Sequence, residues 1–337
     1  MKIETLAYPR ATIVGNPSGG YHGRTISFTF NDFKVKVSVE KSTKFEIVLS
    51  ETEVKTFENL DVFIHQIAMK GLQSICPLWI SATLKRFYTL CEIESLKIPI
   101  KTFRIYMNST IPANCGFGDE SAYIVAFCRT LMRFWGIRIP DPLLAKFVRE
   151  IEMEELGKYG GTQGGGAQVY NCLLYANFDE EIMWTQGYAA YIPLSVDDLP
   201  AIFIAYPEHP SILNPNFYED FFIRYENGER EIIGAIDKWA NLTTDFRTAM
   251  FAQDFEWMVE LFNDNWAIRR KYLPTSDDDI RRIELMHSMG VGAKLIGQGG
   301  AIIGLYEGEA TIEAIEQVLK LEGMKVLVPT KMQLAEA

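Results

Sequence analysis

Glycine constrains this chain more than any other residue type. Three stretches place it where a backbone must turn tightly or let a neighbour approach closely. They are "VGNPSGGYHGRTIS" (Val14–Ser27), "IPANCGFGDESA" (Ile111–Ala122) and "GAKLIGQGGAIIGLY" (Gly292–Tyr306). A residue without a Cβ reaches backbone conformations closed to others and leaves room for a ligand against the main chain. The central stretch runs into the apolar segment "SAYIVAFCRTLMRFWG", so it reads as a loop opening onto a helix from Ser121, with Gly136 as its stop. Free amides and the positive end of a helix dipole make such a loop a seat for phosphate. Yet Asp119 and Glu120 stand where the phosphate would sit. Two unit charges about 4 Å apart repel by roughly 4 kcal/mol at an effective dielectric near 20. The charge requires a metal ion, side chains turned out to solvent, or a different ligand.

A chain of 337 residues is long enough for two domains with separate cores. The pattern restarts near residue 185, which predicts domains over 1–185 and 186–337. A formal net charge of −11 repels polyanions and argues against nucleic-acid partners. Five scattered cysteines without a Cys-x-x-Cys pair form neither a disulfide framework nor a zinc knuckle. No apolar run suits a bilayer and "MKIETLAYPR" has no signal core, so a soluble protein of the reducing cytoplasm, without membrane contact, is expected. Nothing in the sequence fixes an oligomeric state.

Alternation of Val35, Val37 and Val39 predicts a half-buried strand, and "TLAYPRATIVGN", "RTISFTF" and "FRIYMNSTIP" read as strands beside it. Helical spacing holds from Leu60 to Glu94, and "DPLLAKFVREIEMEELGKYG" reads as a helix with Asp141 as N-cap. Beyond residue 185 come the strand "PAIFIAYPE", four longer helices, the strand pair "AKLIGQGGAIIGLYEG" and the strand "KVLVP". Helices layered on mostly antiparallel sheet predict an α+β class.

The three glycine stretches, in this order and with these elements between them, resemble the GHMP kinase superfamily of small-molecule kinases. The resemblance covers nearly the whole chain. Within it the glucuronokinase-like sequences are the nearest pattern, through "GNPS..Y.GRTIS", "AQVY", "N..W.IRR" and "GA..IG.GGA". It implies a two-domain GHMP kinase fold, with an N-terminal ribosomal-protein-S5-like domain and a C-terminal ferredoxin-like α/β sandwich. It also implies ATP and Mg²⁺ as cofactors and a small-molecule sugar or sugar acid as substrate. Carried over residue by residue, Pro112, Asn114, Gly116, Phe117, Gly118, Glu120, Ser121 and Ala122 would cradle the nucleotide. Ser121, with Glu152, would ligate the metal. Substrate would meet Asn16, Ser18, Gly19, Tyr21, His22 and Arg24 of the first motif. Gly164 and Gly165, then Gly297, Gly299 and Gly300, would complete its site. Lys294 and Asp119 are the catalytic candidates.

Several positions depart from the family pattern. Gly19 replaces an Asp, the usual catalytic Asp falls on Gly164 beside Gly165, and the metal-binding Glu aligns with Met153, flanked by Glu152 and Glu154. These losses keep open a second reading, a ligand-binding or regulatory module on the same frame. Other residues divide equally between roles. Arg24 either pairs a sugar carboxylate or ends a strand in a surface ion pair, and Tyr21 either stacks on a sugar ring or packs. Lys294 either meets phosphate or lies solvated at a strand edge. Of Arg269 and Arg270, one reaches the site and the other pairs at the surface. His65, His209 and His287 lack partners at triad or metal spacing.

Overall fold

The computed structural model describes residues 2–72, 75–158, 165–211, 214 and 216–330. The chain begins with strands β1 (Lys2–Ala7), β2 (Arg10–Val14), β3 (Arg24–Thr29), β4 (Val35–Lys41), β5 (Phe45–Val48) and β6 (Val54–Phe57). Helices α1 (Leu60–Lys70) and α2 (Leu78–Ile93) precede β7 (Phe103–Ser109), α3 (Asp119–Trp135) and α4 (Asp141–Glu150). Next come α5 (Gly165–Tyr170), β8 (Leu173–Asn177), α6 (Glu180–Gln186), β9 (Ala190–Leu194) and β10 (Ile202–Pro207). The helices α7 (Glu219–Glu226), α8 (Arg230–Ala252), α9 (Phe255–Tyr272) and α10 (Asp277–Ser288) follow. The chain then forms β11 (Ala293–Leu295), β12 (Ile302–Leu305), α11 (Glu309–Leu321) and β13 (Met324–Leu327). Helix and strand mix throughout, the α+β class that the pattern led one to expect.

Two compact units interleave along the sequence. One takes Met1–Tyr8, Phe33–Ile111 and Asp119–Gly157; the other takes Pro9–Asp32, Pro112–Gly118 and Lys158–Ala337. The first holds a five-stranded sheet in the order β1-β4-β7-β5-β6, antiparallel except for the parallel pair β5–β7. Helix α3 lies across this sheet and buries Ile124, Val125, Phe127, Cys128 and Leu131. Two threonines fasten it. Thr5 Oγ1 donates to Ala126 O at 2.6 Å, and Thr130 Oγ1 donates to Val37 O at 3.3 Å. Phe45 and Phe103, with ring centroids 4.8 Å apart, extend the core with Phe63 and with Phe134 at the end of α3.

The second unit holds two four-stranded sheets, β2-β3-β8-β9 and β11-β12-β10-β13. Under the latter lies a core of Phe203, Trp266, Ile283, Met286, Ile315 and Leu319. A second core gathers Tyr21, Tyr218, Phe221, Ile232 and Trp239 around α7 and α8.

Three local differences from the sequence pattern have plain causes. "TLAYPRATIVGN" is two strands in different sheets, because Pro9 has no N–H for a ladder. The apolar run from Leu60 to Glu94 breaks before Pro77, which leads into α2. Asp141 is not the N-cap of α4 but its first residue, Pro140 holding the cap position.

Removing the Phe103 ring, which is fully buried, is expected to cost about 3–5 kcal/mol. Urea unfolding of Phe103→Ala checks this, and an unchanged midpoint would contradict the packing described.

Candidate functional site

All three glycine motifs contribute to the second unit, where polar bonds hold them together. Gly15 sits at φ +91°, and a Cβ there would lie 2.1 Å from Arg24 O and 2.3 Å from Thr243 Oγ1. No other residue fits. Its amide donates to Asn265 Oδ1 at 3.0 Å. One turn along the same face of α9, Arg269 Nη1 donates to Gly297 O at 2.7 Å. An i, i+4 pair on one helix thus fixes the first motif and the third. Gly297 in turn touches the central motif: a Cβ on Gly116 would stand 2.9 Å from Ile296 O, and one on Gly297 3.2 Å from Gly116 Cα. Both glycines have positive φ, so bare backbone meets bare backbone there.

Lys294 completes the frame. Its Nζ donates to Thr12 O at 3.0 Å, Asn16 Oδ1 at 3.1 Å and Leu295 O at 3.3 Å, and the residue is wholly buried. All three ammonium donors are therefore spent inside the protein. This corrects both sequence readings of Lys294: it is neither solvated nor available to a phosphate, but braces the first motif against β11. Burial, and then the nearby Arg269 guanidinium, push its pKa well below the usual lysine range.

Other first-motif candidates move the same way. Tyr21 is packed edge-on against Phe221 at 5.2 Å and Tyr225 at 5.0 Å, which excludes stacking on a sugar. Ser18, fully buried, donates to Arg24 O at 3.0 Å, and Gly19 is buried in the short 3₁₀ turn Ser18–Tyr21. Neither Ser18 nor Tyr21 is a substrate contact here. His22 is exposed and its Nδ1 bonds Phe178 O at 3.3 Å. Arg24 Nη1 donates to Thr244 Oγ1 at 3.2 Å, not to a carboxylate. Asn16 Nδ2 is buried without an acceptor among the described residues, as is the Tyr21 hydroxyl. Arg269 is buried while Arg270 pairs with Glu284 at 2.9 Å on the surface, the division expected of the two. His65 and His209 are exposed, and His287 Nε2 bonds Ala293 O at 3.1 Å.

In the central loop Phe117 faces inward against Phe30 and Tyr206, so it contributes backbone only. Asn114 has φ +58° and its carbonyl oxygen lies 3.9 Å from where a Cβ on Gly300 would stand. Pro112 is half-buried. Gln168, from "AQVY", donates to Gly118 O at 2.9 Å. Arg10 was missed in the sequence. Its amide donates to Phe117 O at 2.9 Å, and its side chain covers Gly118, where a Cβ would come within 3.1 Å of Cγ and Nε. A basic residue inside an otherwise buried strand was the available signal. Gly299 faces Asp279, with Oδ2 3.0 Å from its ideal Cβ position. Gly165 opens α5 and is buried; Gly164 lies outside the described residues.

In the first unit, α3 begins at Asp119, two residues before the start read from the sequence. Asp119 and Glu120 form its first turn, where acidic side chains favour the helix dipole. Ala122 is buried behind them. Ser121 Oγ donates to Glu152 Oε1 at 2.5 Å, and both residues are buried. Glu152 belongs to a π turn, Ile151–Glu155, that continues α4 and is closed by the bond from Leu156 N to Ile151 O at 3.1 Å. In the family pattern the metal-binding Glu falls on Met153; the fold turns the preceding carboxylate, Glu152, inward to Ser121 and leaves Met153 half-buried. A serine hydroxyl and a carboxylate are hard oxygen donors of the kind Mg²⁺ takes, with phosphate and water completing its shell. The pair fits such an ion. Among the described residues no group of three or more His, Cys, Asp or Glu is placed as a metal cluster, and no helix is long and apolar enough to cross a membrane.

Lys294→Met is expected to leave the buried Asn16 Oδ1 without its donor, at about 1–3 kcal/mol. A lysine with a depressed pKa binds fewer protons folded than unfolded, so the parent gains stability as pH rises through that pKa toward the ordinary 10.5. The variant lacks this gain. Urea unfolding at neutral and alkaline pH reads both effects, and identical curves for parent and variant would refute them.

Residues 82–174 match the family model described as "GHMP kinases N terminal domain". Along 98% of its length the chain is 28% identical to "Glucuronokinase 1" of Arabidopsis thaliana, covering 92% of that protein. "Probable glucuronokinase 2" of the same organism matches at 28% over 98% of this chain and 93% of its own length. Among solved structures, galactokinase of Lactococcus lactis complexed with galactose superposes with a TM-score of 0.79 at 14% identity, covering 98% of this chain and 94% of its own. Mevalonate kinase of Methanococcus jannaschii superposes at 0.72 and 18%, covering 99% and 98%. Residues 82–174 are thus similar to a GHMP kinase N-terminal domain, and the fold is shared with the solved galactokinase and mevalonate kinase.

Proposed function

We propose that this protein is an ATP-dependent kinase that transfers a phosphoryl group to a hydroxyl of a sugar or sugar acid, as the names of its glucuronokinase relatives suggest. The observation that carries the reading is the Ser121–Glu152 pair. On this reading Glu152 stands in for one of the three acids, at Gly19, Met153 and Gly164, whose absence favoured a non-catalytic module, and the glucuronokinase relatives favour the kinase over that alternative. Phosphoryl transfer depends mainly on positioning and electrostatic stabilisation, and the residues here supply both. The main-chain amides of the Pro112–Gly118 loop, kept open by Gly116 and Gly118, receive phosphate oxygens. Arg10 offsets their charge from the side of Gly118. Ser121 and Glu152 hold Mg²⁺, which when bound neutralises phosphate charge. In the first unit Trp79 stacks on Tyr123, one turn into α3, at 4.5 Å, and this half-buried aromatic pair offers a face for a nucleobase.

Asn16, with its spare amide donor, is the first-motif residue best suited to a sugar hydroxyl. Asp119 belongs to the helix start, and a base at this end would have to be Asp119 or a phosphate oxygen.

The test is ADP release from ATP·Mg²⁺ with a panel of sugars and uronic acids. Turnover on none of them would sink the proposal. Arg10→Ala is expected to lower kcat by about 10²–10³-fold, the usual loss for a donor aimed at developing charge. Glu152→Gln is expected to raise the Mg²⁺ concentration needed for half-maximal rate while leaving the sugar KM in place. Equal Mg²⁺ dependence in parent and variant would remove Glu152 from the metal site.

A further inference from the structure

Helix α2 grips the acidic run around the π turn through three ion pairs. Arg86 Nη2 donates to Glu150 Oε2 at 2.9 Å, and its Nη1 donates to Glu154 Oε2 at 2.7 Å. Lys85 Nζ donates to Glu155 Oε2 at 2.7 Å. One cation therefore joins the residue before the π turn to a residue inside it, and the next cation fixes the turn's last residue. The geometry points to Arg86 and Lys85 as positioning residues that hold the π turn and so keep Glu152, rather than Met153, turned toward Ser121. This inference rests on the metal-binding reading of Glu152 given above.

The need for a clamp follows from the turn itself. A π turn closes its bond over one residue more than an α-helix, is rarely longer than a single turn, and marks functional sites when it occurs. A regular helix would compete with it. Relaxation to α geometry would rotate every residue after Ile151 about the axis. Glu154 and Glu155 would then leave their partners on α2, and Glu152 would lose its line to Ser121. The ion pairs oppose that relaxation. Arg86 is suited to the task because its planar fork takes two carboxylates at once, which a lysine cannot. Its carboxylate partners hold its pKa up, although burial works the other way. The side chains of Arg86 and Glu150 are only about a quarter exposed, at 27% and 26%, so their pair is shielded from salt more than the Arg86–Glu154 pair, whose carboxylate is 55% exposed.

Two readouts other than turnover test the clamp. Hydrogen exchange of the Leu156 amide reports the π bond, and Mn²⁺ binding by electron paramagnetic resonance, with a non-hydrolysable ATP analogue present, reports the metal site. In Arg86→Met, exchange at Leu156 is expected to rise and Mn²⁺ affinity to fall, each by about tenfold, the scale of losing one half-buried and one exposed ion pair together. Amides in the centre of α3 stay protected as in the parent. Arg86→Lys keeps one pair and recovers part of both losses, which a merely structural lesion would not do. Lys85→Met loses only the Glu155 contact and gives a smaller change of the same sign; it carries the test alone should Arg86→Met not fold. Parental exchange and parental Mn²⁺ affinity in a folded Arg86→Met, or in Lys85→Met where that variant stands alone, would overturn the clamp. Glu152→Gln separates the two ideas: should it bind Mn²⁺ as the parent does, the metal reading fails, whereas the clamp still stands or falls on exchange at Leu156.

Discussion

The second unit depends on one buried ammonium group. Lys294 reaches from β11 to the carbonyl of Thr12 in β2 and the amide oxygen of Asn16 in the first motif, 282 and 278 residues away in sequence. Taking a lysine wholly out of water costs several kcal/mol unless its donors are met. Three oxygens meet them here. Asn265 and Arg269 extend the arrangement from α9, one holding the amide of Gly15 and the other the carbonyl of Gly297. Because Gly297 then abuts Gly116 backbone to backbone, the path of the central loop follows from bonds made elsewhere. A phosphate-binding loop needs such outside support, since it has few side chains with which to hold its own shape.

The first unit solves a different problem with different means. There a hydroxyl and a carboxylate must face each other from two helices. Helix α3 is located by threonines on the sheet, Thr5 and Thr130. The carboxylate is located by a fault in helical register, the π turn after Glu150. A fault of this kind converts a shift of one residue in sequence into the right direction in space, and an alignment made residue against residue cannot register it.

What the sequence revealed follows from this contrast. Elements set by local pattern were legible: α9, α10, the β11–β12 pair, α11 and β13 all fall where their periodicity places them. The three glycine motifs and Ser121 were legible through family resemblance. Residues whose role is set by distant neighbours were not. Tyr21 and Ser18 sit in a motif that looks like a ligand loop, yet α7 and α8 cover the tyrosine and a turn absorbs the serine hydroxyl. Arg10 was hidden by reading β1 and β2 as one strand, when Pro9 divides them between two sheets. Met153 falls where the family pattern has an acid, and the π turn that brings its neighbour Glu152 to Ser121 has no signature in the sequence.

The acidic start of α3 has a cost and a use. Asp119 and Glu120 occupy the first turn of a helix, where each contributes about 0.3–1 kcal/mol to helix stability at low ionic strength. The same partial positive charge attracts an incoming phosphate, so helix and ligand compete for one field. In a chain of net charge −11 the surroundings add nothing to relieve that competition. Cations must do so locally. Under the proposed function, an ion held by Ser121 and Glu152 would stand within the same turn of α3 as Glu120. The acids would then set a condition: phosphate would bind well only when positive charge comes with it. Free nucleotide would be disfavoured relative to its metal complex, and the first turn of α3 would act as a selector for the form of nucleotide from which transfer proceeds.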